Sequence, residues 1–247
     1  MTSDFFLLRF LCGEEIYSNS YFNSSGIKEG SEISIYYDSM ICKLVSYADD
    51  RETALNIMDK ALDSYVIRGL AHNISLLRDI CDNENFRKGD FNTSFLQEEY
   101  PDGFSGRKLS VSEKNELVLG AAFMHLKREA KASKFLNQKI AVPVKLDKFE
   151  LFVKLDGVKY QVNGEFNGSG LTASVDGGDV AKLNSNWDSS SLLVDANIGG
   201  NEVIFQNISR EGQSYKIQHC GTVFQLDVAD SFQNEMEMYM KEKVPEG

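Results

Sequence analysis

Ser110-Val111-Ser112-Glu113-Lys114-Asn115-Glu116-Leu117-Val118-Leu119-Gly120-Ala121-Ala122-Phe123-Met124-His125-Leu126 is the stretch whose reading decides the fold. Ser110 and Glu113 form a capping box, in which each side chain satisfies a backbone amide left free where a helix begins. From Leu117 to Leu126 no side of the cylinder is polar, so this half must be enclosed on all faces. Lys127, Arg128, Lys131 and Lys134 then restore a solvated face and complement the negative end of the helix dipole. The spacing predicts one helix over 110–138.

Downstream of it the apolar period changes to two. Eight strand-like runs follow, at Phe149–Lys154, Lys159–Asn163, Leu171–Val175, Val180–Trp187, Leu192–Ile198, Glu202–Ile208, Ser214–His219 and Thr222–Val228. Turn residues separate them, among them Asp156-Gly157, Asp176-Gly177-Gly178 and Gly199-Gly200. Short strands at such spacing predict an up-and-down antiparallel barrel over 149–228. The all-apolar helix then has a destination inside it, filling the space that a ligand-binding barrel leaves open. Asp230 opens a last helix over 230–243, with Phe232, Met236, Tyr239 and Met240 on one face.

Upstream, residues 1–30 read as irregular, with loop chemistry at Ser18-Asn19-Ser20 and Asn23-Ser24-Ser25-Gly26. Ile33–Tyr37 and Ile41–Tyr47 are short β-type runs. Asp50 caps a helix with Ala54, Ile57, Met58, Ala61 and Leu62 at helical spacing, and Asn73 caps a second with Ile74, Leu77 and Ile80. Tyr100-Pro101-Asp102-Gly103 is the strongest boundary signal. The expected class is therefore α+β: an irregular segment at 1–25, a small α+β layer at 26–100, and the helix and barrel at 101–247.

With 42% hydrophobic residues among 247, the chain can bury roughly 70% of its unfolded surface. Lys and Arg number 26 against 37 Asp and Glu, and a net charge of −11 argues against non-specific binding to nucleic acid or anionic membrane. Cys12, Cys42, Cys81 and Cys220 show no ligand or disulfide-framework spacing and read as reduced, mostly buried thiols. Phe5–Cys12 is too short to span a bilayer and is broken by Arg9, so the expectation is a soluble intracellular chain.

Reactive motifs are few. His72, His125 and His219 have no metal-ligand spacing, so no metal site is expected. His125, on the enclosed helix, is expected to be a hydrogen-bonded packing residue. Gly103-Phe104-Ser105-Gly106 falls one residue short of a nucleophile elbow. Neither GxxxxGK[ST] nor GxGxxG occurs, so no phosphate cradle is available. The residues assign no catalytic or cofactor-binding side chain.

Several stretches do resemble a known family. Ile33-Ser34-Ile35-Tyr36-Tyr37-Asp38-Ser39-Met40, Lys43-Leu44, Asp50-Arg51, Tyr65-Val66-Ile67-Arg68-Gly69 and His72-Asn73-Ile74 resemble the C-terminal subdomain of biotin carboxylases. Phe91 to Glu98, Tyr100-Pro101-Asp102-Gly103-Phe104 and Ser112-Glu113-Lys114-Asn115 resemble the α subunits of mitochondrial propionyl-CoA carboxylases, within the biotin-dependent acyl-CoA carboxylases. The likeness continues through Val153-Lys154-Leu155 and Gly221-Thr222-Val223, spanning about 26–243.

The resemblance implies a remnant of the biotin carboxylase C-terminal subdomain followed by a BT domain, a long helix inside an eight-stranded barrel. It implies as partners the carboxyltransferase β subunit and the other α-subunit domains, and as address the mitochondrial matrix. The family's docking hook, carried over here, is about Asn137 to Asp147, with Ile140, Val142, Pro143 and Val144 as partner-binding residues; the same loop could instead plug the barrel mouth. Intact family enzymes use biotin and ATP with Mg or Mn. In this sequence Phe22 stands where the family has a catalytic arginine, and the ATP-grasp portion and biotinyl lysine are not among its residues, so the chain alone is expected to bind no cofactor and to be inactive. The alternative is a working ligase subunit whose ATP-grasp and biotinyl parts come from another chain.

Overall fold

The computed structural model describes residues 41–69, 71–132, 148–237 and 239, and the strand backbone at 6–11 and 21–25. The chain divides into two compact units: Met1–Arg107 with Cys220–Thr222, and Lys108–His219 with Val223–Gly247.

In the first unit β1 (Phe6–Leu11), β2 (Tyr21–Ser25) and β3 (Cys42–Ser46) form an antiparallel sheet with β3 in the centre. The two outer strands correct the expectation that residues 1–30 are irregular. Each pairs with β3, Phe6 opposite Ser46 and Phe22 opposite Val45, so what defines them lies far along the chain rather than in a local turn. The Ile33–Tyr37 run lies outside the described residues. On β3 alternate residues Cys42, Leu44 and Ser46 are buried, the pattern of a strand with one face in a core.

Helix α1 (Arg51–Ser64) begins as expected, with the Asp50 carboxylate accepting from the Thr53 amide at 2.8 Å. Helix α2 (Ile74–Asp82) follows Asn73, whose side chain makes no capping bond. Two short helices, α3 (Glu84–Lys88) and α4 (Phe95–Glu99), complete the unit. Leu55, Met58 and Leu62 of α1 pack with Ile74, Leu77 and Ile80 of α2 and with Cys42 and Leu44 of β3. The division between units falls after Arg107, beyond the turn at Tyr100-Pro101. Tyr100 donates its hydroxyl hydrogen to Asp79 at 2.8 Å and Arg107 pairs with Asp82 at 2.5 Å, which ties this segment to α2.

The second unit opens with α5 (Val111–Ala132), and both halves of the expected capping box are made. The Glu113 amide donates to Ser110 Oγ at 3.3 Å and the Ser110 amide to Glu113 Oε2 at 2.7 Å. The expected helix extends to 138, and residues beyond Ala132 lie outside those described. All ten residues from Leu117 to Leu126 are buried. Around them the strands β4 (Phe149–Leu155), β5 (Val158–Phe166), β6 (Gly170–Val175), β7 (Val180–Asn184), β8 (Leu193–Ile198), β9 (Asn201–Glu211), β10 (Ser214–His219) and β11 (Thr222–Asp230) close into a barrel. Each strand pairs with the next in sequence, and β11 pairs with β4, Leu226 opposite Leu155, to complete the ring.

The strands obey the inside–outside alternation of a barrel wall. Leu151, Val153 and Leu155 of β4, Val194, Ala196 and Ile198 of β8, and Phe224, Leu226 and Val228 of β11 point into one core with α5. Gly120, in mid-helix, would carry a Cβ only 2.8 Å from the buried Phe205 ring. The glycine costs helix propensity, about 1 kcal/mol against Ala, and in return lets β9 approach the helix axis. The expected run Val180–Trp187 is shorter as a strand: β7 stops at Asn184, where the Ser185 hydroxyl accepts from the Trp187 amide and turns the chain. The last helix, α6 (Ser231–Glu237), is capped reciprocally by Asp230 and Gln233. Its expected apolar residues Phe232, Met236 and Tyr239 are exposed.

Candidate functional site: the mouth of the helix-filled barrel

Phe123, fully buried, occupies the barrel core between Phe166 and Trp187, with ring centroids at 6.3 and 6.4 Å. What the second unit presents is its two ends. The C-terminal half of α5 emerges at the end where β5 turns into β6, β7 into β8 and β9 into β10. Lys127 Nζ donates to the Gly168 carbonyl at 2.6 Å, and Lys131 Nζ reaches Asp188 and Ser189, both at 3.0 Å. β4 starts at this same end, with Phe149 opposite Gly164 near the close of β5. Ala132, the last described residue of α5, and Phe149, the first of β4, therefore lie at one mouth.

Ile140, Val142, Pro143 and Val144, the partner-binding residues expected from the sequence, lie outside the described residues, within 133–147. Only their anchoring points are on view. The mouth between those points has features that sequence reasoning missed. Arg128, read as part of a solvated face, lays its guanidinium 5.6 Å from the Trp187 ring centroid and 5.7 Å from that of Tyr215. Arg210 sits over the same Tyr215 ring at 5.3 Å, donates from Nε to the Gly212 carbonyl at 2.7 Å, and stands 4.0 Å from Glu129. Burial and the neighbouring Arg210 lower the Arg128 pKa, while Tyr215 raises it. The one available signal was Trp187, the sole tryptophan in the chain.

His125 is the packing residue expected. It is buried, and its Nδ1 lies 3.2 Å from the Tyr215 hydroxyl. Burial lowers its pKa and raises that of Tyr215, so both are held neutral in the core.

The first unit concentrates its charge differently. Arg78 reaches Asp59 and Asp63 at 3.1 Å and Asp82 at 2.7 Å; Arg87 reaches Asp59 at 2.6 Å; Arg107 lies 3.7 Å from Asp79. These side chains neutralise one another and brace α1, α2 and α3, which is a structural use of charge. Among the described residues no group of three or more His, Cys, Asp or Glu is arranged to hold a metal. The Gly103–Gly106 stretch is loop, with φ of 80° at Gly103 and 111° at Gly106. Cys42, Cys81 and Cys220 are buried thiols, with no disulfide among the described residues.

The biotin carboxylase C-terminal domain family matches residues 16–98, and the propionyl-coenzyme A carboxylase BT domain family matches residues 117–243. The first match reaches upstream of residue 26, so residues 16–25, expected to stand outside the resemblance, fall inside it. The propionyl-CoA carboxylase alpha chain, mitochondrial, of Mus musculus is 43% identical over 226 residues, which is 90% of this chain and 31% of that protein. The same protein of Homo sapiens is 42% identical over 227 residues, again 90% of this chain and 31% of its own length. The propionyl-CoA carboxylase alpha chain of Ruegeria pomeroyi is 31% identical, covering 90% of this chain and 32% of that one. Among solved structures, the biotin carboxylase domain of thermophilic 2-oxoglutarate carboxylase bound to bicarbonate is 33% identical, covering 39% of this chain and 21% of that one with a TM-score of 0.33. The chain spans about a third of the length of the curated relatives it matches. It belongs to the propionyl-CoA carboxylase alpha-chain family, with a biotin carboxylase C-terminal domain followed by a BT domain.

Proposed function

We propose that this chain's own activity is assembly: its barrel unit docks a carboxyltransferase β subunit, joining it to the biotin carboxylase part of an α subunit in ATP- and biotin-dependent carboxylation of propionyl-CoA. The observation that carries the reading is the barrel mouth. A buried helix fills the barrel core, the described parts of α5 and β4 end and begin at one mouth, and the sequence between them holds Ile140-Ala141-Val142-Pro143-Val144, five consecutive apolar residues. Such a segment needs a cover. Lys139, Lys145 and Lys148 flank it as a polar rim around an apolar anchor. The names of the mouse and human relatives support a mitochondrial site of action, and the reading places it in the matrix.

The test is co-purification with a propionyl-CoA carboxylase β subunit. Val142→Asp combined with Val144→Asp is expected to abolish it while leaving the melting temperature of the chain nearly unchanged, because an interface anchor cannot accept an unpaired buried charge. Undiminished binding by this double variant contradicts the reading. A collapsed melting temperature would instead make the segment a plug of its own barrel.

A further inference from the structure

We propose that residues 185–192, between β7 and β8, form a strap that seals an incomplete seam of the barrel wall with serine hydroxyls and opens as one unit while the strands on either side stay paired. The device lies wholly within the second unit and does not depend on β-subunit docking.

β8 pairs with β9 along its whole length, from Leu193 opposite Gln206 to Ile198 opposite Asn201. With β7 it pairs only at its end, Ile198 opposite Leu183 and Asn197 opposite Asn184. Continued in that register, the ladder would set Asn186 opposite Asp195 and Asp188 opposite Leu193, each giving a backbone amide to the carbonyl facing it. The chain leaves the register after Asn184, and two hydroxyls take the places of those amides. Ser185 Oγ donates to the Asp195 carbonyl at 2.5 Å, and Ser191 Oγ to the Leu193 carbonyl at 3.0 Å. The remaining bonds of the segment are internal: the Trp187 amide to Ser185 Oγ at 3.1 Å, Trp187 Nε1 to the Ser191 carbonyl at 3.0 Å, and the Ser191 amide to the Asp188 carbonyl at 2.8 Å. They make the strap one piece. Outside itself it is held by the buried Trp187 ring against Phe123 and by Lys131 on Asp188 and Ser189. The Lys131–Asp188 pair joins exposed side chains and holds weakly. Releasing the strap leaves the β6–β7 and β8–β9 ladders intact, so its opening is a smaller event than unfolding of the barrel. It would bare the Leu193 and Asp195 carbonyls as a strand edge, a template for another chain, which the two hydroxyls guard when the strap is shut.

Native-state hydrogen exchange on the full chain, read by NMR in a urea series below the unfolding transition, tests this. The Trp187 and Ser191 amides report the strap, and the Val194 amide, which faces β9, reports the wall. The two strap amides are expected to exchange about a hundredfold faster than Val194, with protection alike within about threefold and rates nearly independent of urea, the behaviour of one local opening. Ser185→Ala should speed Ser191 exchange about tenfold, with the same flat urea dependence, because it leaves the Asp195 carbonyl without its donor. Strap amides that match Val194 in both rate and urea dependence would place the segment in the cooperative unit of the barrel and overturn the proposal. Protection at Trp187 and Ser191 that differs by more than about tenfold would mean fraying of separate bonds, not a strap, and would overturn it too. So would an unchanged Ser191 rate in Ser185→Ala.

Discussion

Gly120 and Phe123 lie one turn apart on α5 and set the volume of the barrel core in opposite senses. Gly120 is empty where the Phe205 ring needs to enter, and Phe123 is large where the barrel would otherwise be hollow, fully buried between Phe166 and Trp187. Truncating Phe123 to Ala leaves a cavity that a closed ring of strands cannot collapse to fill, so its cost should be about 3–5 kcal/mol by urea denaturation. A loss within about 0.5 kcal/mol, the tolerance of an exposed site, would mean that the helix is not enclosed. Phe123 was legible as core because its neighbours on both sides are apolar. Arg128 was not legible, since a cation between Leu126 and Lys131 reads as a solvated face until Trp187, in the connection after β7, and Tyr215, on β10, are brought against it from far along the chain.

At the scale of elements, α5 depends on its start more than a longer helix would, since its apolar residues are committed to burial from Leu117 onward. Ser110→Ala removes the hydroxyl that accepts from the Glu113 amide and should destabilise the barrel unit by about 1 kcal/mol, seen as a lower denaturation midpoint with an unchanged slope. Elements carrying their own signals were predictable, α1 from Asp50 and the eight barrel strands from alternation and glycine turns. β1 and β2 were not, because β3, the strand that completes them, follows only after the loop-like residues between. The end of β7 was misplaced for a related reason: Val180–Trp187 keeps strand-like composition past Asn184, but the Ser185 hydroxyl captures the Trp187 amide.

At the scale of the whole molecule, charge distinguishes the two units. In the first, four carboxylates (Asp59, Asp63, Asp79 and Asp82) meet three guanidiniums (Arg78, Arg87 and Arg107), one negative charge in excess. Burial pushes the Asp59 carboxyl up from its ordinary 3.8 to about 6, against the pull of Arg78 and Arg87, and burial raises Asp63 as well. The folded unit thus holds a proton that the unfolded chain releases near pH 4. Stability from Asp59 should rise as pH falls from about 6 toward 4, by on the order of 2 kcal/mol, and be absent above that window. Asp82 has the opposite sign: although burial raises its pKa, Arg78 and Arg107 hold it below the usual value, so its contribution is lost only on further acidification. A carboxyl carbon titration by NMR should find an Asp59 midpoint near 6, and a midpoint at or below 4 would refute the excess-charge account.

The barrel unit gives its core to a helix, and the proposed docking assigns recognition to its rim. Hydrogen–deuterium exchange on the chain alone and saturated with a propionyl-CoA carboxylase β subunit tests that claim most directly. The account predicts new protection on binding, concentrated in peptides covering 139–147 and in those carrying Arg128 and Trp187. Protection confined to the opposite rim around Gly199-Gly200, or no change anywhere in the barrel unit at saturating β subunit, would contradict it.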